Sequence, residues 1–317
     1  MPYYLGLDGG GTKTACLLVD GQGATLATAQ GTGTSYRQHG EGAVLKTLES
    51  LARECAHGAG ASVEGLDGVC VGLPLYGENS AMDEKLEKAV QEMFPRALLV
   101  NDVQVGWAGS LACQPGINVV AGTGSIAFGC DAEGHTARSG GWSEHFSDEG
   151  SSYWLALRGM QLFTKQSDGR APKGPLYEMV RKAFALEDDF DFVTIAEEQL
   201  LPARDRTAAF QRLVADAAKA GDAAVLPLYE SAAQELAQLA AAVKAKLHFS
   251  GECVPVSYSG GTFQVGEMLL GPMGALLAQK GMSLQKPIFS PVQGAALLAV
   301  KHFAPDCFPD VLRGFQQ

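Results

Sequence analysis

A carboxylate followed by three glycines stands near the start of the chain, in the run from Asp8 to Thr14. Glycines leave the backbone N–H groups of a turn uncovered, and such groups can cradle a phosphate. Thr12 and Thr14 add hydroxyl donors, and Asp8 is placed to hold Mg²⁺ through water. A plain hairpin turn needs fewer glycines, so the run predicts phosphate binding. The predicted phosphate contacts are Gly10, Gly11, Thr12 and Lys13.

A second glycine turn, from Gly122 to Ser125, also lies between two apolar runs. Two such turns facing one another would clamp the β- and γ-phosphates of ATP. A third glycine pair, Gly260 and Gly261, follows an apolar run and precedes a predicted helix. It predicts contact with the adenosine, although a simple helix start has the same pattern. The predicted contacts in these two segments are Gly122, Thr123, Gly124, Ser125, Gly260, Gly261 and Thr262.

Asn101 and Asp102 end the apolar run 98–100, where a side chain projects beyond the edge of a sheet. Phosphoryl transfer requires a group that orients the acceptor hydroxyl and takes its proton, and a carboxylate at this place is suited to that role. Asp102 is therefore the predicted general base. The alternative is an Asp that caps the following helix, 103–113, and the residues alone favour neither interpretation.

A polar, glycine-rich segment from Gly140 to Ser151 carries one large aromatic residue, Trp142, and the carboxylate of Asp148. An aromatic face beside carboxylates is typical of sugar sites, because the ring stacks on C–H groups and the carboxylates pair with hydroxyls. Trp142 could equally belong to the core, and Asp148 could be the N-cap of a helix that begins near Ser151.

The elements that must position these residues repeat along the chain. Three strands over 3–29 form an antiparallel meander around the first glycine turn, and helix, strand, helix and strand follow up to residue 100. After residue 116 the pattern of strand, glycine turn and strand begins again, which predicts an internal duplication. The fold class is α/β, with two like domains that face a cleft.

Composition excludes several classes of protein. The 317 residues have a formal net charge of −11, the wrong sign for binding nucleic acid. The apolar stretches are far shorter than the roughly 20 residues that span a bilayer, so no membrane partner is expected. The N-terminus has no basic residues ahead of an apolar run, so no secretion signal is expected. Seven widely spaced cysteines predict reduced thiols and a cytoplasmic location rather than a metal cluster.

With these motifs laid out, the chain resembles the BadF/BadG/BcrA/BcrD ATPase family, and within it the N-acetylglucosamine kinase type of the actin, hexokinase and heat-shock chaperone superfamily. The resemblance implies two ribonuclease-H-like (actin-like ATPase) domains flanking a nucleotide cleft, with ATP and Mg²⁺ bound there and Asp102 as the base. It also implies a homodimer. The expected domains are 1–116 and 117–317, with a helical insertion at about 152–248 and a C-terminal helix at about 291–304 that can pack back on the first domain.

The resemblance also implies the contacts with a small-molecule sugar substrate. These contacts are Ser35, Asp102, Thr123, Trp142, Ser143 and Asp148. Three serines depart from the pattern of the family. Ser35 lies in a loop where the family tends to have Asn, whereas Ser143 and Ser147 replace expected glycines. These changes concern the identity of the sugar more than the reaction.

The predicted function is an ATP-dependent kinase that phosphorylates a hydroxyl of an amino sugar, namely N-acetylglucosamine, glucosamine or N-acetylmuramate. One alternative is an ATPase activator of a dehydratase or reductase, which would need clustered cysteines to hold an iron–sulfur cluster. Another is a non-enzymatic sugar sensor, for which an added DNA-binding helix pair would be expected.

Overall fold

The computed structural model describes residues 2–316, which divide into two compact units. Residues up to Pro115 and those from Lys286 onward form the first unit, and Gly116–Gln285 form the second. The chain therefore returns to the first unit at its C-terminal end. Residues 286–316 thus separate from the rest of the expected domain 117–317.

Each unit begins with three consecutive strands, and helices and two further strands follow. The strands are β1 (Tyr3–Gly9), β2 (Lys13–Asp20), β3 (Thr25–Thr32), β4 (Gly68–Leu73), β5 (Ala97–Asn101), β6 (Gly116–Ala121), β7 (Ser125–Cys130), β8 (Thr136–Gly140), β9 (Val254–Ser259) and β10 (Met282–Leu284). The α-helices are α1 (Tyr36–His39), α2 (Glu41–Gly58), α3 (Ser80–Met93), α4 (Asp102–Ser110), α5 (Ser152–Ser167), α6 (Pro175–Ala183), α7 (Asp191–Ile195), α8 (Arg204–Ala209), α9 (Gln211–Lys219), α10 (Leu226–Lys244), α11 (Glu267–Ala278), α12 (Pro291–Phe303) and α13 (Phe308–Gly314).

The sheet of the first unit has the order β3-β2-β1-β4-β5. Strands β1 to β3 form the predicted antiparallel meander, whereas β4 and β5 run parallel to β1. Asp8 pairs with Gly72 of β4, and Gly72 pairs with Val100 of β5. Because parallel strands end at the same edge of a sheet, Asp8 and the end of β5 lie at one edge, two strands apart.

Helix α4 carries Asp102 as its first residue and packs against α12 through glycines. A Cβ built at Gly294 would lie 2.2 Å from the Val105 carbonyl oxygen, and one at Gly109 would lie 2.3 Å from the Ser290 carbonyl oxygen. No side chain fits where two backbones approach this closely. The contact therefore fixes the axis of the helix that begins at Asp102.

The sheet of the second unit has the order β10-β9-β6-β7-β8. Strands β6 to β8 are antiparallel, and β9 and β10 run parallel to β6. This is the strand order of the first sheet, with each strand replaced by its counterpart. The repeated order confirms the duplication predicted from the two glycine turns.

Each unit has its own apolar core. In the first unit, α2 buries one face against the sheet through Val44, Leu48, Leu51, Ala52 and Cys55, the spacing expected of an amphipathic helix. In the second unit, the sheet packs against helices that include α10. Five of the seven cysteines are buried. Within residues 2–316, no helix is long and apolar enough to cross a membrane.

Candidate active site

The first glycine turn joins β1 to β2 and is held closely by its surroundings. Gly10 N donates to the Lys13 carbonyl oxygen at 2.9 Å, and Thr34 N donates to the Gly10 carbonyl oxygen at 2.9 Å. A Cβ at Gly9 would lie 2.1 Å from the Thr34 hydroxyl oxygen. Thr12 and Lys13 are exposed. The turn thus presents backbone and polar side chains to solvent, as a phosphate-binding turn would.

Asn101, rather than Asp102, caps helix α4. The Asn101 side-chain oxygen accepts from Val103 N at 3.1 Å, and its amide nitrogen donates to the Tyr76 carbonyl oxygen at 2.6 Å. The alternative interpretation of Asp102 as the N-cap is therefore wrong. Asp102 occupies the first turn of the helix, where the helix dipole favours a negative charge.

The pKa of Asp102 is raised to about 7, first by burial and then by the negative charge of Asp8, with a smaller contribution from Glu78. Hydrogen bonds from the backbone N–H groups of Val103 and Asp102 act in the lowering direction. Burial also raises the pKa of Asp8 to about 6, opposed by Lys13. Asp8 and Asp102 are each half-buried as residues. Two neighbouring carboxylates that are costly to ionise together are a favourable place for a divalent cation.

The segment that follows β3 brings Ser35 next to this turn. Ser35 is 6% exposed and begins the short helix α1, where its carbonyl oxygen accepts from Gln38 N and His39 N. His39 Nε2 lies 3.2 Å from the Gly11 carbonyl oxygen. Ser35 is therefore close to the first glycine turn but is largely covered.

The second glycine turn joins β6 to β7. Gly122 N donates to the Gly124 carbonyl oxygen at 2.9 Å, and Thr123 is exposed. A Cβ at Gly122 would meet nothing within 4 Å, whereas a Cβ at Gly124 would lie 2.7 Å from both Asp148 Oδ2 and Arg204 Nη2. Only the second of these glycines is thus required by packing.

Asp148 lies against this turn and is 3% exposed. Its Oδ1 accepts from Ser125 N at 3.4 Å, and its Oδ2 pairs with Arg204 Nη2 at 2.6 Å. Burial raises the pKa of Asp148 in spite of the lowering effect of Arg204. Helix α5 has Ser151 as its N-cap, with the Ser151 hydroxyl accepting from Trp154 N at 3.1 Å. The interpretation of Asp148 as that N-cap is wrong.

Trp142 is 76% exposed, so the alternative that it belongs to the core is wrong. Phe146, four residues later, is exposed to the same extent. Ser143 is half-buried, and its hydroxyl accepts from His145 N at 3.3 Å within the same segment. The exposed indole, in the same segment of the chain as the buried Asp148, offers the face that a sugar ring stacks on.

The third glycine motif follows β9 and packs on the end of β6. Gly260 has a φ of 107°, and a Cβ there would lie 2.3 Å from the Ala121 carbonyl oxygen. The Thr262 hydroxyl is buried and donates to the Gly122 carbonyl oxygen at 3.2 Å. Gly261 is exposed with open space around it. Gly260 and Thr262 therefore support the second glycine turn, and Gly261 is the open position of the three.

Two charged residues, each next to one of these carboxylates in its own unit, were not predicted from the sequence. Glu78 affects the pKa of Asp102 from a loop before α3, and Arg204 reaches Asp148 from a helix 56 residues further along the chain. Neither residue belongs to a local motif, so the sequence carries no signal that would reveal them.

The family model of the BadF/BadG/BcrA/BcrD ATPase family matches residues 5–299. An N-acetylmuramic acid/N-acetylglucosamine kinase of Clostridium acetobutylicum is 28% identical over 268 residues, covering 82% of this chain and 85% of that protein. An N-acetyl-D-glucosamine kinase of Dictyostelium discoideum is 26% identical over 316 residues, covering 94% and 97%.

Among solved structures, a candidate N-acetylglucosamine kinase from Chromobacterium violaceum superposes with a TM-score of 0.75 at 28% identity, over 94% of this chain and 99% of that chain. The match to the family model covers nearly the whole chain and includes both glycine turns and Asp102. This chain belongs to the BadF/BadG/BcrA/BcrD ATPase family.

Proposed function

We propose that this protein is an ATP-dependent kinase that phosphorylates a hydroxyl group of an amino sugar. The observation that carries the proposal is Asp102, a carboxyl group at the edge of the first sheet whose pKa is raised to about 7. The ideal pKa of a general base lies near the pH at which it works. The similar proteins from Clostridium acetobutylicum and Dictyostelium discoideum are kinases of N-acetylated amino sugars, which supports the same acceptor class here.

In the proposed reaction, the ionised Asp102 accepts the proton of a sugar hydroxyl. The hydroxyl oxygen forms a bond to the γ-phosphorus of ATP while the bond from that phosphorus to the β–γ bridging oxygen breaks. ADP leaves with the electron pair of that bond, and the proton remains on Asp102. Asn101 fixes the start of α4 through its two hydrogen bonds, so the position of the base does not depend on the substrate.

Asp8 is the proposed ligand of Mg²⁺, through water. The donor set fits this ion, because Mg²⁺ prefers carboxylate and water oxygens and the two acidic side chains at this edge repel each other. When bound, Mg²⁺ would neutralise charge on the phosphates. The part of this chain is to hold Asp8 half-buried at the end of β1, opposite Gly72.

We propose phosphate contacts for both glycine turns. In the first turn they come from the backbone and side chains of Gly10 to Lys13, and in the second from Gly122 to Ser125. These roles are supported by the exposure of Thr12, Lys13 and Thr123 to solvent. Gly261 is the proposed contact for the adenosine, whereas Gly260 and Thr262 act through the turn that they support.

The proposed sugar contacts are Trp142, through its exposed ring, and Asp148, through the lone pairs that Ser125 N and Arg204 leave free. Ser143 lies in the same segment as Trp142 and Asp148, and Thr123 lies in the second glycine turn. Ser35 is largely covered, so its part would be to shape the site more than to bind. N-acetylglucosamine, glucosamine and N-acetylmuramate are the candidate acceptors.

Homodimeric assembly and a cytoplasmic location stay predictions. The odd number and wide spacing of the seven cysteines support a reducing compartment. Light scattering coupled to size-exclusion chromatography would test the dimer directly.

The experiment that tests the function is coupled ADP release from Mg²⁺-ATP in the presence of N-acetylglucosamine, glucosamine, N-acetylmuramate or glucose, with Asp102→Asn as the control. We expect a rate that depends on an amino sugar and is lost in the variant. Slow ATP hydrolysis that no sugar accelerates would contradict the proposal and favour the ATPase-activator alternative.

A further inference from the structure

Arg204 is the first residue of α8, and its guanidinium contacts two acidic side chains of the segment 142–150. Arg204 Nη2 lies 2.6 Å from Asp148 Oδ2, and Arg204 Nε lies 3.4 Å from Glu144 Oε2. The Arg204 side chain is 39% exposed, whereas that of Asp148 is 3% exposed. The ion pair therefore has one end in solvent and the other inside the second unit.

Asp148 stands in an environment that opposes its charge. Its backbone has a φ of 60°, in the left-handed region that non-glycine residues adopt rarely and at a cost. A buried carboxylate without a counter-charge would be expected to take up a proton. Arg204 supplies that counter-charge at hydrogen-bond distance. Breaking the pair would leave the carboxylate with Ser125 N as its remaining close donor at 3.4 Å.

The same pair fills the space beside the second glycine turn. A Cβ at Gly124 would lie 2.7 Å from Arg204 Nη2 and 2.7 Å from Asp148 Oδ2. Thus Gly124, Asp148 and Arg204, which are far apart in sequence, pack as one group. The helical part of the second unit is connected to the glycine turn through this guanidinium.

We propose that Arg204 is a positioning residue, which holds the carboxylate of Asp148 ionised and fixed against the turn 122–125 so that it can accept a hydrogen bond from a sugar hydroxyl. This inference rests on the proposed function, in which Asp148 contacts the sugar. Arg204 itself need not touch substrate, because its guanidinium is shared between two carboxylates.

The charged groups that face Asp148 determine how it responds to pH. Arg204 lowers its pKa and Glu144 raises it, and burial has the largest effect, in the raising direction. Glu149 is adjacent in sequence, and its Oε2 accepts from the Ser147 hydroxyl at 3.3 Å. Removing the guanidinium would leave Glu144 and burial acting in the same direction, so the pKa of Asp148 would rise.

The test uses the full chain with Arg204→Gln, Arg204→Lys, Asp148→Asn and the double variant Asp148→Asn/Arg204→Gln. Arg206→Gln is the matched control, since Arg206 is an exposed arginine on the same helix. Steady-state kinetics with the sugar and with ATP, and the melting temperature of each variant, would be measured. We expect Arg204→Gln to raise the KM for the sugar roughly tenfold, with a smaller change in kcat.

Three further results are expected of a positioning residue. Arg204→Lys keeps more of the affinity for the sugar than Arg204→Gln, because lysine has the positive charge but lacks the paired N–H donors of the guanidinium. The double variant binds sugar no worse than Asp148→Asn alone. The affinity for the sugar decreases on acidification in both proteins, and in Arg204→Gln this decrease occurs at a pH roughly one unit higher than in the unaltered chain. A residue that only stabilises the fold would lower the melting temperature without moving this pH profile.

Additive losses in the double variant, or the same KM in Arg204→Gln as in Arg206→Gln, would overturn the inference. Failure of the proposed function is a separate outcome, in which the unaltered chain phosphorylates no sugar. In that case the inference is tested by NMR titration of the Asp148 carboxyl carbon. Its pKa should be higher in Arg204→Gln than in the unaltered chain, and an unchanged pKa would overturn the inference.

Discussion

The two sheets share one strand order, but they place different chemistry at their strand ends. In the first unit, Asp8 lies near the end of β1 and Asp102 follows β5, and both have a raised pKa. In the second unit, the counterparts of these strands end in Ala121 and Leu284, which cannot ionise. The acidic group that lies next to the second glycine turn is Asp148, and it comes from a separate segment and is paired with Arg204.

This difference indicates that the carboxylates of the two duplicated units have different roles. The first unit holds carboxylates whose pKa suits proton transfer and cation binding. The second holds its carboxylate in an ion pair, in which Arg204 lowers the pKa of Asp148 against the raising effect of burial and thereby favours a carboxylate that accepts hydrogen bonds. The glycine turns are the feature that both units keep. Changes at Asp102 should therefore affect the chemical step most, and changes at Asp148 and its partners should affect binding.

The largest effect is expected from Asp102→Asn. Loss of the base should lower kcat by about 10²–10⁴-fold, because the amide cannot take the proton of the acceptor hydroxyl. The affinity for ATP, measured by calorimetry without sugar, should stay within about threefold of the original, since only the acceptor meets Asp102. Since the pKa of Asp102 is about 7, kcat/KM of the unaltered chain should fall as pH drops below 7.

A strong loss of ATP affinity in this variant would contradict the role of Asp102 as the base, because the carboxylate would then act in nucleotide binding rather than on the acceptor alone. The matched control is Asp83→Asn, which changes an acidic residue of α3 in the same unit and should leave kcat unaltered.

The second expected effect separates two glycines of one turn. Gly124→Ala places a Cβ 2.7 Å from Asp148 Oδ2 and Arg204 Nη2, so the turn or the ion pair must shift. We expect KM for ATP and for the sugar to rise by roughly tenfold or more. Gly122→Ala places its Cβ in open space and should change either constant less. Equal effects of the two substitutions would show that the ion pair does not shape the turn.

Much of this fold was accessible from the sequence because its signals are local. Glycine turns between apolar runs and the spacing of Val44, Leu48 and Leu51 predict their own elements from a few neighbouring residues. The duplication followed from the repetition of one such signal. Asp102 was identified with an open alternative, and the structure resolved it by showing the cap made by Asn101.

What the sequence did not reveal depends on contacts between distant segments. Arg204 approaches Asp148 across 56 residues, and Gly260 and Thr262 support the Gly122 turn across about 140 residues. A motif indicates that glycine is needed, but packing decides whether the reason is a ligand or a neighbouring backbone. The segment that returns to the first unit begins at residue 286, before the C-terminal helix at about 291–304 that was expected to pack there.

A smaller effect is expected from Trp142→Ala in the second unit. Stacking of an aromatic ring contributes about 0.5–1.5 kcal/mol, so KM for the sugar should rise by roughly twofold to tenfold while KM for ATP and kcat stay nearly constant. Because the indole is 76% exposed, the melting temperature should hardly change. Phe146→Ala removes an aromatic ring of equal exposure and is the control. A larger effect on ATP than on sugar would assign Trp142 to the nucleotide.

The smallest expected effect concerns stability. It tests whether the ionised carboxylate of Asp102 lowers the stability of the folded chain. The pKa of Asp102 is about 7 in the folded chain against an ordinary value of 3.8. At a pH between these two pKa values, Asp102 is protonated in the folded state but ionised in the unfolded state. The free energy of unfolding therefore increases as pH falls through this range and decreases as pH rises through it.

Asp102→Asn removes this titration and the cost of the buried charge. At pH 8 the variant should therefore melt roughly 2–4 °C above the unaltered chain, equivalent to about 1 kcal/mol for a half-buried group. The difference should shrink as the pH is lowered toward 5. Differential scanning calorimetry at both pH values measures it. If the variant melts lower at pH 8, the carboxylate stabilises its own unit, and the contrast with the paired Asp148 of the second unit would be lost.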